Sequence, residues 1–216
     1  MFIGHFAVGF AAKKVNNKPS LGTYFLAAQF LDLLWPTLLL AGVEKVEIIR
    51  GKTEGPPINF TYYPFSHSLL MVLVWSLLFY IIYWLAYKNK KAALVLALCV
   101  LSHWVLDLFV HLPDLPLYPG NSPLFGFALW KNMTPELIIE FLLFITGVSL
   151  YLNSTTATTK TGIFSFWGLI IFLIVIHIAN TYSAPPPSVN TIAWAGQLQW
   201  LIVLWGYWVD RNRNAN

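Results

Sequence analysis

The chain has 216 residues, of which 57% are hydrophobic and only 10% charged, and its net charge is +4. A soluble domain averages about 45–50% apolar and about 25% charged residues, and a chain this short has too little interior to hide the excess. The composition excludes a soluble enzyme, a disordered protein and a nucleic-acid-binding module, and the single cysteine, Cys99, excludes an intrachain disulfide and a thiolate zinc-finger site.

Residues 1–12 are apolar, and the first positive charges, Lys13 and Lys14, follow that run instead of preceding it as in a secretory signal peptide. The run is too short to cross a bilayer. It predicts a half-inserted helix packed into a bundle, with His5 inside and Lys13 and Lys14 at the surface. Six longer apolar runs follow, at 21–43, 66–87, 92–112, 134–152, 162–181 and 191–209, each near the about 20 residues a transmembrane helix needs. Turn signals separate them: Gly55-Pro56-Pro57, Lys88 to Lys91, Pro113 to Pro123, Asn153 to Lys160 and Pro185 to Pro187. No repeat and no linker divides the chain. The expected fold is an all-α polytopic membrane bundle, one integral-membrane domain over 1–216. Nine of the thirteen Lys and Arg residues fall on the side of Lys13. That places both termini in the cytoplasm of a multi-pass cell-membrane protein, with Lys45, Arg50, Lys52 and Lys131 outside.

Ionisable residues inside hydrocarbon are costly and persist when paired, hydrated or metal-bound. At a helical rise of 1.5 Å, Asp32 and His103 lie about 18 Å from the cytoplasmic boundary and Asp107 about 24 Å. Glu140 lies about 21 Å from the same side of a core about 30 Å thick. His67 opens the second span at its outer edge, and His5 sits inside the N-terminal helix. These depths overlap. His103 and Asp107, four residues apart, share a helix face, and His111 extends that stripe by one turn. Imidazole nitrogen and carboxylate oxygen suit zinc or a related divalent ion, while the same pair without metal is a polar tie between helices.

In Tyr62-Tyr63-Pro64-Phe65-Ser66-His67-Ser68, Pro64 holds Tyr63 extended and Ser66 reads as the N-cap of the second span. His67 is then in its first turn, and the flanking serines are candidates for orienting the ring.

Gly4-His5, Ala28-Gln29-Phe30-Leu31-Asp32, Tyr63-Pro64-Phe65-Ser66-His67-Ser68-Leu69, Ser102-His103-Trp104-Val105-Leu106-Asp107 and Gly126-Phe127-Ala128-Leu129-Trp130 followed by Glu140 together resemble the bacterial membrane-bound metal-dependent hydrolases. The resemblance covers nearly the whole chain, and the two His-containing motifs are its most specific part. More distantly, the order His, Asp, His, His-x-x-x-Asp, Glu is similar to zinc-dependent phospholipase C, a helical bundle around a zinc cluster. That pattern has a further His where this chain offers Glu136, which speaks against three ions.

The resemblance implies an inner-membrane hydrolase in which His5, Asp32, His67, His103, Asp107 and Glu140 bind one or two divalent ions, zinc first, with His111 as a further ligand. A carboxylate not fully engaged by metal, Asp32 or Glu140, would be the general base. The chain has no Gly-x-Ser-x-Gly elbow and no Gly-rich nucleotide loop. The depth of the cluster points to membrane lipid, or a lipid-linked ester or phosphoester, as substrate. His177 fits no motif and is expected to hydrogen-bond inside the bundle. The competing readings are a proton-coupled transporter, since relays use the same residues, and a membrane structural protein stapled by its metal.

Overall fold

Apolar segments that leave water must satisfy their backbone polar groups internally, and helix does this within one segment. The computed structural model describes residues 1–49, 56–182 and 184–216 and is mostly helical. The expectations for Arg50, Lys52 and Gly55 fall outside the described residues.

Helix α1 (Ile3–Val15) is followed by α2 (Leu21–Ala28) and α3 (Phe30–Leu40). A hairpin of β1 (Lys45–Ile48) and β2 (Ile58–Tyr62) leads to the single turn α4 (Pro64–His67). Then come α5 (Leu69–Tyr87) and α6 (Lys90–Val110), a short ladder of β3 (Leu115–Pro116) with β4 (Leu124–Phe125), and a 3₁₀ turn at Leu129–Lys131. The chain continues through α7 (Met133–Leu152), β5 (Thr155–Ala157), α8 (Lys160–Tyr182), α9 (Val189–Gln197) and α10 (Gln199–Arg211). Strand β6 (Arg213–Ala215) pairs antiparallel with β5.

Among the described residues four helices, α5 to α8, are long and apolar enough to cross a membrane. The pair α2 and α3 would make a fifth crossing, bent by 57°. The run expected as one helix over 21–43 is therefore broken at Gln29, and the run over 191–209 is broken at Leu198. Pro36, inside α3, explains the open backbone there. It has no N–H for the carbonyl of Asp32 four residues earlier, and that oxygen lies 3.5 Å from Gln199 Nε2 instead. The second run also starts differently from its expectation. Ser68, not Ser66, caps α5, accepting from Met71 N–H at 3.3 Å, because the Ser66 hydroxyl is used elsewhere.

Helix α1 is buried on every face, from Ile3, Phe6 and Phe10 to His5 and Lys13, as expected of a helix inside a bundle. It packs against α7, α2 and α6. The expectation that Lys13 lies at the surface is corrected. Its ammonium is buried, 2.6 Å from Asp210 Oδ2 and 3.0 Å from the Pro19 carbonyl oxygen, and Tyr151 Oη donates to the other Asp210 oxygen at 3.1 Å. Helix α5, by contrast, fully buries only Val72 and presents Leu70, Leu73, Leu77 and Ile82 outward, the surface a lipid-facing helix would show.

Where α1 crosses α7, Gly147 touches backbone: a Cβ there would run into the Ala7 carbonyl oxygen. Small residues permit such close helix contacts. Gly147→Val is expected to destabilise the protein by about 1–3 kcal/mol through overpacking, read as a lowered unfolding midpoint in detergent, while Thr146→Val, on the exposed side of the same helix, leaves it near wild type.

Candidate metal centre

The break at Gln29 leaves the Ala28 carbonyl at a helix end, one of the orphan acceptors of α2. It lies 2.8 Å from His103 Nδ1 on α6. A carbonyl only accepts, so Nδ1 carries the hydrogen, and in the neutral ring, the form that binds metal, Nε2 presents its lone pair. That atom is 3.2 Å from Asp107 Oδ2, one turn further along α6, and 3.6 Å from Asp32 Oδ1 on α3.

His67, the last residue of α4, is fixed by a longer chain of contacts. Its Nδ1 lies 2.7 Å from Ser66 Oγ, and that hydroxyl donates to Glu44 Oε2 at 2.7 Å. Glu44 Oε1 accepts the Phe65 and Ser66 N–H groups, both at 2.8 Å. With the hydroxyl proton directed at Glu44, Ser66 accepts from His67 Nδ1–H, and the His67 Nε2 lone pair faces inward. It stands 3.6 Å from Asp32 Oδ1 and 3.9 Å from Asp107 Oδ2. Burial raises the Glu44 pKa, and its hydrogen bonds from Ser66 and Phe65 oppose that rise.

His111 repeats the pattern at the C-cap of α6. Its Nδ1 donates to Asp114 Oδ1 at 2.9 Å, and its Nε2 is 4.0 Å from Asp107 Oδ2. Tyr63 Oη also donates to Asp114 Oδ1, at 2.8 Å. Burial and the Asp114 carboxylate hold the phenol well above its usual pKa, so it stays a neutral donor. His5, from α1, brings Nε2 to 3.1 Å from Asp107 Oδ1 and stacks its ring on that of His103 at 3.6 Å and 6°. The Met1 nitrogen reaches the same Asp107 oxygen at 2.7 Å.

The Nε2 atoms of His67 and His103 thus each face both Asp32 Oδ1 and Asp107 Oδ2, at 3.2–3.9 Å. Ligands bound to one zinc at 2.0–2.1 Å in tetrahedral array stand about 3.3 Å apart. His103 Nε2 is buried without a hydrogen-bond partner. Acceptors this close repel unless a cation or a proton lies between them, and the fixed tautomers of His67 and His103 suit a cation. Two overlapping groups among the described residues, His5 with His103 and Asp107, and Asp32 with His67 and His103, have the spacing to hold a metal ion.

Six of the seven ligand candidates meet around Asp107, with His111 at the edge. Glu140 stands apart from the four-acceptor set. Its oxygens accept Phe2 N–H at 3.0 and 3.1 Å and Gly4 N–H at 3.1 Å, at the N-terminus of α1, where a carboxylate complements the helix dipole. It still lines, with Asp32, Asp107, Glu136 and His177, the cavity of about 210 Å³ beside the cluster. Among the described residues His177 does not make the hydrogen bond expected of its ring. Its Nε2 is buried without a partner, and the ring packs on Phe2 and Phe141. The supporting groups Glu44, Asp114 and the Ala28 carbonyl were not found in the sequence. Of the serines beside His67, Ser66 orients the ring, and Ser68 caps a helix.

Compared with family models, with curated proteins and with solved structures, the chain matches none.

Partners that orient a ligating imidazole typically carry 10–100-fold in metal affinity. Ser66→Ala and Glu44→Gln are each expected to weaken binding of a divalent metal by about that factor, measured by competition with a metallochromic chelator, with helical circular dichroism unchanged.

Proposed function

We propose that this chain is an integral-membrane, metal-dependent hydrolase, with zinc as its ion and an ester or phosphoester of a lipid or lipid-linked molecule as its substrate. The observation that carries the reading is the convergence of Asp32 Oδ1, His67 Nε2, His103 Nε2 and Asp107 Oδ2 at 3.2–3.9 Å beside a cavity. The resemblance of the His67 and His103–Asp107 motifs to the membrane-bound hydrolases supports it. A divalent ion held there would acidify a water molecule and polarise a carbonyl or phosphoryl oxygen.

The protein's own groups divide the remaining work. The Asp32 side chain is 25% exposed while that of Asp107 is 2% exposed, so Asp32 meets incoming water and is the general base. Glu140, whose oxygens already hold the start of α1, is the second candidate for that role. His5 and His111 flank Asp107 and complete the ligand set. Trp130, whose ring lies 4.1 Å from that of His111, and Phe60 form an apolar wall that suits an acyl or prenyl chain.

The topology we propose has six crossings in a bacterial inner membrane, with α2–α3 and α9–α10 as bent spans and α1 half-inserted; the Lys13 end of α1 and the C-terminus face the cytoplasm, and the expectation of a cytoplasmic N-terminus is corrected, because Met1 is buried against Asp107. The Lys13–Asp210 pair and the β5–β6 ladder bring the C-terminal end of α1 and the last residues of the chain together near the α7–α8 connection, which supports placing those two ends on one side, while Met1 lies inside the bundle against Asp107. Reporter fusions after Asn216 and within Lys88–Lys91 are expected to report cytoplasm, and a fusion within Pro113–Ser122 the outside.

Asp107→Ala and His103→Ala are expected to abolish bound metal in protein purified without added metal and assayed by elemental analysis, whereas His177→Ala retains it. Affinity should fall as pH drops below about 6.5, the ordinary histidine pKa, because protons then compete for the imidazole nitrogens. Against a panel of phospholipid esters and phosphoesters in mixed micelles, wild type should turn over substrate and Asp32→Asn should be slower by about 100-fold or more, the usual contribution of a general base. Full metal occupancy with no turnover on any member would favour a purely structural staple.

A further inference from the structure

At the opposite end of the bundle from the acidic cluster lies a second cavity, of about 390 Å³, between the α1–α2 connection, the start of α6 and the chain's last residue. Its lining is cationic and amide-rich: Lys13, Lys14, Lys18 and Lys91 with asparagines and Ser154, and no acidic side chain. Lys13 is neutralised by Asp210. Among the described residues no carboxylate lies within 4.0 Å of Lys14, Lys18 or Lys91.

The walls are built rather than loose. Lys18 N–H donates to Asn16 Oδ1 at 3.0 Å, which closes a local turn. Tyr24 Oη donates to the Asn16 carbonyl oxygen at 2.7 Å, and Lys13 Nζ holds the Pro19 carbonyl oxygen at 3.0 Å. Asn89 caps α6 through Ala92 N–H at 3.0 Å, fixing where Lys91 emerges. Asn216 N–H donates to the Ser154 carbonyl oxygen at 2.9 Å. Three uncompensated ammonium groups around a preformed concavity describe a receptor for a small, highly charged oxyanion.

The position says which one. The cavity is lined by Asn89 and Lys91 at the turn that follows the end of α5 carrying Tyr83, Trp84 and Tyr87, and Lys90 Nζ lies 5.6 Å above the Trp84 ring. Aromatic and basic residues mixed in this way mark a membrane–water boundary. Tyr87 and Leu94, on either side of Lys90 and Lys91, are exposed apolar surface along which acyl chains can lie. We propose that Lys14, Lys18 and Lys91 bind the phosphate of an anionic phospholipid at the lysine-rich end of the bundle. Basic pockets at the ends of membrane helices bind lipid headgroups by this chemistry, and the site is independent of the metal reading.

The test uses the full chain in nanodiscs of phosphatidylcholine with and without phosphatidylglycerol. Anionic lipid retained through purification is counted by native mass spectrometry, and the unfolding midpoint is measured alongside. Phosphatidylglycerol should be retained by wild type and raise its midpoint. The triple variant Lys14→Gln/Lys18→Gln/Lys91→Gln should bind it about 100-fold more weakly, and Lys45→Gln/Lys131→Gln should behave as wild type. The single variants, each at an exposed residue, should show graded losses even if the triple variant folds poorly. Equal retention by wild type and all single variants would overturn the proposal. So would equal loss in the Lys45/Lys131 control. Stabilisation by inorganic phosphate without retention of phosphatidylglycerol would assign the cavity to a free anion and overturn the lipid.

Discussion

Asp107 is a carboxylate with 2% of its side chain exposed at the meeting point of α1, α3, α4 and α6, and the surrounding bundle is organised by the need to compensate it. An unpaired buried charge costs several kcal/mol. Here the Met1 nitrogen and His5 reach one oxygen, and the Nε2 atoms of His103, His67 and His111 surround the other, where a cation or a proton between them and the carboxylate completes the compensation. Helix α1 lies in the middle of the bundle because it delivers two of those partners, and its close crossing with α7 at Gly147 brings Glu140 to its N-terminal N–H groups. A short helix of this kind, polar at one end and apolar along its length, is held by both terms together.

The second constraint is backbone. A straight helix over 21–43 would keep the Ala28 carbonyl in its own ladder. The bend at Gln29 frees that oxygen for His103 Nδ1 and turns the next helix so that Asp32 meets His67 and His103. Further along, Pro36 withholds the N–H that the Asp32 carbonyl would take. Its ring also packs where α9 passes: a side chain on Gly196 would strike it. The deformation in α3 and the break at Leu198 therefore sit against each other, and the site depends on helices that are not ideal.

The sequence made part of this legible. His103 and Asp107 at i and i+4 are local geometry, and depth counted along each apolar run brings Asp32 near them, so the acidic and imidazole core could be read from spacing alone. The Glu44–Ser66–His67 chain could not. Glu44 is 22 residues from Ser66 across a hairpin, and in sequence it reads as one more charge in an outer loop. Lys13 looked like a boundary lysine because its partner Asp210 is 197 residues away. The bends at Gln29 and Leu198 were hidden by uniform apolar composition, which records that a segment leaves water but not whether its helix is continuous. Ser66 and Ser68 have equal propensity to cap, and the choice between them was made by Glu44.

The central claim is that the four inward-facing acceptors around Asp107 share one divalent ion. The X-ray absorption spectrum of the chain loaded with zinc in detergent tests it most directly. A first shell of nitrogen and oxygen ligands at about 2.0–2.1 Å, with outer-shell scattering from at least two imidazoles that is lost in His103→Ala, is the predicted result. Failure to retain zinc after desalting, or a shell of oxygen alone unchanged by His103→Ala, would contradict it and leave the cluster as a protonated histidine–aspartate tie between helices.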